Sequence, residues 1–107
     1  MKNYQVIITP SAELDLQELF QYIAFSVQMP QAARNFINRL KEAIMDLAQM
    51  PERWPLLRTE PWHTQGLRRA IVAGYLIIFV VLEDTVYVLL VVNAQRNVDD
   101  LLQRLGI

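Results

Sequence analysis

Two uncharged stretches dominate the second half of the chain. Residues 70–82 are 13 without a charge, residues 85–95 are 11, and Glu83-Asp84 separates them. Neither reaches the roughly 20 apolar residues that a membrane-spanning helix needs, and two acids at mid-bilayer would be costly. The stretches are therefore expected to be strands joined by a tight turn. The run YLIIFVVL at 75–82 does not alternate apolar with polar, which predicts a central strand covered on both faces. With 67–73 before it and 86–92 after it, the spacing is that of an antiparallel meander.

Such a sheet needs a cover, and the first half of the chain supplies one. Residues 4–9 are a short β-branched run, read as a strand. Thr9-Pro10 follows, with Thr as N-cap and Pro at the first helical position. Ala12, Leu16, Leu19, Phe20, Ile23 and Val27 then share one helical face, with Glu13, Asp15 and Glu18 off it. Pro30 restarts the chain into a second helix striped with Ala33, Phe36, Ile37, Leu40, Ile44, Leu47 and Ala48, which Met50-Pro51 ends. Two amphipathic helices with a short connection predict an antiparallel helical hairpin. Residues 51–66, PERWPLLRTEPWHTQG, read as a loop long enough to have a role. Asn97 with Asp100 three residues on resembles a capping box for a short last helix, with Val98, Leu101, Leu102 and Leu105 inward. The predicted order is β-αα-βββ-α, an α+β domain over residues 1–107 with a small antiparallel-rich sheet packed against the hairpin.

Composition narrows the function classes. The chain of 107 residues has 53% hydrophobic and 20% charged residues, no cysteine, one histidine and a net charge of −1. That is a globular composition without disulfides, thiolate-bound metals or a histidine-rich metal site. The start, MKNYQVIITPSAELDLQ, has only VII before polar residues return, so no secretory signal is read and a soluble cytoplasmic protein is expected. No cofactor, metal or membrane partner is expected. A net charge of −1 lacks the basic excess of most nucleic-acid binders. Locally the balance is uneven. Residues 11–27 hold three acids and no base, whereas 53–69 hold Arg53, Arg58, Arg68 and Arg69 against Glu60 alone.

The order and spacing of these segments resemble a known family. A strand is followed by SAELDLQELFQYIA, then by PQAARNFINRLKEAIMDLAQMP, a loop, and GLRRAIVAGYLIIFVVLEDTVYVLLVVNAQRN. Over about residues 4–100 this is similar to the RelE/ParE superfamily of toxins from bacterial type II toxin–antitoxin modules, also called plasmid stabilisation proteins, and the helix text looks most like the ParE branch. The resemblance implies a compact α+β fold and a cognate antitoxin whose C-terminal segment wraps the toxin. For the ParE branch it implies growth arrest by poisoning DNA gyrase. For the RelE branch it implies cleavage of messenger RNA on the ribosome. A third reading is an antitoxin-binding module without toxicity.

The resemblance also points to residues. Arg68 matches the family's arginine on the first strand of the meander, and strand alternation puts Arg68 and Arg69 on opposite faces. A guanidinium there grips a phosphate or carboxylate with a bidentate fork, or else is a solvated strand end. Arg96 survives from a segment that the family often writes His-Gly-Arg-Arg-Asp, where this chain has Asn93, Ala94, Gln95 and Asn97. RNA cleavage needs a general base and a general acid, roles that neither asparagine nor arginine fills. The RelE pattern tends to place a tyrosine or histidine near the C-terminus, and LLQRLGI has neither. If the protein is a nuclease, Arg68, Arg96 and His63 are the candidates. Glu60 and His63 are expected to approach Arg68 only if the loop folds over the sheet. For target or anion binding they are Arg68, Arg69, Arg96 and Arg58. Trp54 and Trp62 read as loop anchors or as stacking platforms for bases. Tyr75 reads as a ring in the sheet with its hydroxyl near the rim. Leu14 and Phe25 fall opposite the inward stripe and read as contacts for an antitoxin or a second copy. The partners implied are an antitoxin and gyrase, or alternatively ribosome and messenger RNA, in a homodimer or a toxin–antitoxin hetero-oligomer.

Overall fold

The computed structural model describes residues 2–106, so Met1 and Ile107, the ends of the predicted domain, lie outside the described residues. Strands β1 (Gln5–Ile8), β2 (Leu67–Val72), β3 (Tyr75–Leu82) and β4 (Thr85–Asn93) form one sheet in the order β1-β4-β3-β2. The pairs β2–β3 and β3–β4 are antiparallel, and β1 runs parallel to β4. The sheet is thus mixed. Parallel pairing requires a crossover, and helices α1 (Pro10–Gln21) and α2 (Pro30–Met45) lie in it.

The meander is held by its turns. Ala73 and Gly74 both have positive φ, 52° and 82°. That is the backbone of a two-residue hairpin turn whose twist matches its strands. Between β3 and β4 the pairing shifts register: Ile78 faces Leu90 but Phe79 faces Val88, so Leu89 is an extra residue on β4. The bulge changes which side chains face the hairpin. Val86 and Val88 face it before Leu89, and Val91 after it.

Each sheet face has its own core. On the hairpin side Ala12, Leu16, Ile37, Leu40 and Ile44 pack on Ala70, Ile77, Phe79, Val86 and Val88. On the other side Leu57, Trp62, Leu67, Leu76, Ile78 and Leu90 gather with Leu102 of α4 (Val98–Arg104). The central strand β3 contributes to both, as its unbroken apolar run predicts.

Local differences from the predicted pattern have physical causes. The first helix ends at Gln21 and continues as a π-helical turn, Tyr22–Ser26. The wider turn rotates the following residues, so Ala24 is buried and Val27, predicted inward, is 44% exposed. The second helix tightens into a 3₁₀ turn at Asp46–Ala48, which still buries Leu47. The 51–66 segment is more ordered than a plain loop. It contains a 3₁₀ turn, Pro51–Arg53, and a one-turn helix α3, Trp62–Gln65. At the other end Asn97 caps α4 by accepting from the Asp100 N–H, but Leu105, predicted inward, is exposed just past the last turn.

Candidate functional site

The arginine doublet sits on the edge strand β2, and alternation divides it. Arg68 shares a face with Ala70 and Val72, which belong to the hairpin-side core; Arg69 shares the opposite face with Leu67. The Arg68 guanidinium is engaged. Its Nη1 donates to the main-chain oxygens of Trp54 at 2.6 Å and Glu52 at 3.1 Å. Around it the 51–66 segment lies along the outer edge of β2 as a strap. The Leu57 N–H donates to the Leu67 oxygen at 2.8 Å and the Arg69 N–H to the Pro55 oxygen at 3.0 Å, with an antiparallel bridge between Leu56 and Arg68. The strap gives this edge partners that an edge strand otherwise lacks. Arg69 is half-buried on the far face, and among the described residues neither arginine is in an ion pair.

The strap is fastened by its tryptophans. Trp62 is 2% exposed in the far-side core, and Trp54 packs against the hairpin-side core with Arg53 over its ring at 5.5 Å. His63 follows Trp62. Its Nδ1 lies 2.8 Å from the Leu57 carbonyl oxygen. A carbonyl only accepts, so Nδ1 carries a proton and Nε2 is the imidazole's remaining acceptor. Glu60 turns back onto Thr64, taking its N–H at 2.8 Å and its hydroxyl at 2.6 Å, and these bonds hold its carboxyl below the usual range. Among the described residues no hydrogen bond or ion pair joins Glu60 or His63 to Arg68. The strap runs along the sheet edge to Leu57 and then turns onto the far face, where Trp62 enters the core, and Glu60 and the His63 Nδ1 bond within the strap. Arg58 is an exposed strap residue.

Arg96 stands elsewhere. It is exposed in the turn after β4, where its N–H donates to the Asn93 oxygen at 3.0 Å and the Asn93 side chain accepts from the Gln95 N–H at 2.9 Å. Register fixes its distance from the doublet. Arg68 aligns with Phe79 and Val88, whereas Asn93 aligns with Tyr75 and Val72, four residues further along β2. At 3.2–3.4 Å per residue and two interstrand steps of 4.7–4.9 Å, Arg68 and the turn bearing Arg96 are well over about 10 Å apart. The three nuclease candidates are not brought together. Tyr75 meets the Phe36 ring edge-on, centroids 5.4 Å apart, as part of the core. Leu14 and Phe25 are 53% and 70% exposed.

One side chain gains a role that the pattern of acids did not show. Strand β1 ends at Ile8, so the second half of β4 lacks a strand on that side, and α1 runs past it. Asp15 of α1 accepts the Val91 N–H at 3.0 Å. Burial pushes its carboxyl above the ordinary range; the Val91 bond pulls it back, Glu18 adds to the rise and Arg96 opposes it. Its position off the apolar stripe was visible in the sequence, but its partner depends on the Leu89 bulge.

Among the described residues no group of three or more His, Cys, Asp or Glu side chains forms a metal site, and no helix is long and apolar enough to cross a membrane. Chemically, the surface offers dispersed guanidinium groups and exposed apolar side chains, a set suited to binding.

Comparison with known proteins agrees with this architecture. The family model described as ParE toxin of type II toxin-antitoxin system, parDE, matches residues 6–98. A chain of the chromosomal ParDE system from P. aeruginosa superposes with a TM-score of 0.72 at 17% identity, covering 86% of this chain and 97% of that one. A chain of the RelBE2 toxin-antitoxin complex from Mycobacterium tuberculosis gives 0.59 at 24% identity, over 85% and 98%. No curated protein matches significantly.

Proposed function

Because the chain belongs to the ParE toxin family of type II toxin–antitoxin systems, we propose that it arrests bacterial growth in the cytoplasm by binding DNA gyrase, without covalent chemistry of its own, and that a cognate antitoxin neutralises it. The observation that carries this reading is the dispersal of its polar groups. Strand scission of RNA needs a base, an acid and a cation around one phosphate. His63 keeps Nε2 as an acceptor, but Arg68 is bound to the strap's carbonyls and Arg96 lies at the other end of the sheet from Arg68. Asparagine occupies position 93. Binding makes no such demand, and Arg69, Arg58 and Arg96 remain as cations for an acidic or phosphate-bearing surface. Leu14 is an exposed apolar contact for the antitoxin.

The test adds the purified chain to gyrase and relaxed plasmid. Loss of supercoiling, or accumulation of linear DNA, with release by the antitoxin, is the expected result. New message ends within codons, seen by primer extension in expressing cells with gyrase unaffected, would replace this reading with ribosome-dependent RNA cleavage. Induction without growth arrest would leave an antitoxin-binding module.

A further inference from the structure

The charge-free tip of the helical hairpin is unexplained by any of these roles. From Leu19 to Ala33 the chain has 15 residues without a charge, although a fifth of all its residues are charged. Within it Tyr22, Phe25, Val27 and Met29 are exposed, surrounded by the exposed amides of Gln21, Gln28 and Gln31. Aromatic and Met side chains at a centre without Lys, Glu or Asp are the composition of an interface core, with a polar neutral rim. The tip is also shaped in advance. The Val27 N–H donates to the Tyr22 oxygen at 3.0 Å and the Met29 N–H to the Ile23 oxygen at 3.1 Å, and Gln28 holds a left-handed φ of 60°.

A groove of about 470 Å³ opens beside the tip, between α1 and α2. Its floor is Leu16, Phe20 and Ile37, and Phe25 stands at its end. Its two walls differ in charge: Glu13 comes from α1, Arg34 and Lys41 from α2. A projecting ring next to an apolar groove, with acid on one wall and base on the other, is a surface that complements itself. In a two-fold contact each patch meets its own copy, so knob and groove must lie on one face and no like charges may meet at the axis. We propose that the hairpin tip is an interface between two copies of this chain, with Phe25 of each copy in the α1–α2 groove of the other and the Glu13 wall against the Arg34 wall. This stands on the surface alone and does not depend on the target of the toxin.

Sedimentation equilibrium of the full chain over a concentration series tests it. The wild type is expected to approach twice its 12.5 kDa. Phe25→Asp, at an exposed site, should keep the wild-type circular dichroism and remain a monomer. Glu13→Lys and Arg34→Glu should each weaken the dimer by about tenfold or more, and the double reversal should restore it. A wild type that stays monomeric throughout overturns the proposal. So does a dimer that Phe25→Asp leaves intact, or a double reversal no better than the singles. If the free chain is monomeric and amides 22–29 are protected from exchange only in the antitoxin complex, the tip belongs to the antitoxin and the proposal fails. None of these readouts involves gyrase or toxicity.

Discussion

Arg68 holds the main-chain oxygen of Trp54 at 2.6 Å, the shortest of several hydrogen bonds that tie the strap to the sheet edge. A strand-end arginine ordinarily contributes little to stability, but this one bonds two main-chain carbonyls of the strap. We expect Arg68→Ala to lower unfolding free energy by about 1.5–3 kcal/mol, the range for hydrogen bonds from a charged donor. Urea denaturation measures it. A change below about 0.5 kcal/mol would show that the tryptophans and the backbone bonds to β2 hold the strap without this side chain.

Arg69 gives the contrasting case. It lies on the far face, with no ion pair among the described residues. Arg69→Ala is expected to stay within about 0.5 kcal/mol of the wild type, while growth arrest on induction weakens. Full toxicity in Arg69→Ala together with lost toxicity in a folded Arg68→Lys would return the capture role to Arg68.

Asp15 makes stability depend on pH in an uncommon direction for a carboxylate. Its folded pKa is raised by burial, so the folded protein binds this proton more tightly than the unfolded chain. The burial cost is fully present at neutral pH. It is relieved as pH falls through the folded pKa towards the ordinary Asp value of about 3.9. Asp15→Asn keeps an oxygen for the Val91 N–H without the charge. It should remove this component from the pH profile. Asp15→Ala leaves the Val91 N–H without its partner and should cost about 1–3 kcal/mol. Melting curves of the three proteins from pH 4 to 8 decide the matter; identical slopes for wild type and Asp15→Asn would refute it.

Phe79 is fully buried at the centre of the sheet, beneath the hairpin. Phe79→Ala should cost about 3–5 kcal/mol. For a domain of this size, with a total of about 5–15 kcal/mol, that is enough to leave much of the chain unfolded. The check is loss of the cooperative thermal transition.

Removing the α4 cap is a milder change. Asn97→Ala takes away the acceptor 3.2 Å from the Asp100 N–H and should cost about 0.5–2 kcal/mol. Faster amide exchange confined to residues 98–104 is the expected signature.

The fold was legible because its signals are local and repeated. The unbroken 75–82 run announced a strand with two covered faces, and Ile77 and Leu76 indeed belong to different cores. Thr9-Pro10 and Asn97 marked helix starts by side-chain chemistry, and both caps form. Val27 failed because helical periodicity assumes a constant turn, and the π turn at Tyr22–Ser26 breaks it. The surroundings of the arginines were less legible. Alternation separated Arg68 from Arg69, but no pattern in PERWPLLRTEPWHTQG reveals that its carbonyls would turn to Arg68, since backbone groups leave no trace in the residue code. Asp15 eluded the sequence for a related reason: its partner is a main-chain N–H that only the register of β4 exposes.

Leu89 has a bearing on ancestry. Because β4 has one residue more than its neighbour at this point, the side chains after it occupy inverted sides relative to those before. Were the same residues paired without the bulge, Leu90 and Val92 would turn towards the hairpin and the Val91 N–H away from Asp15, whereas a relative lacking Leu89 would keep all three as they are. The bulge thus absorbs one residue without moving a core position, and an alignment keeps the strand's inward positions paired only if its gap falls at Leu89.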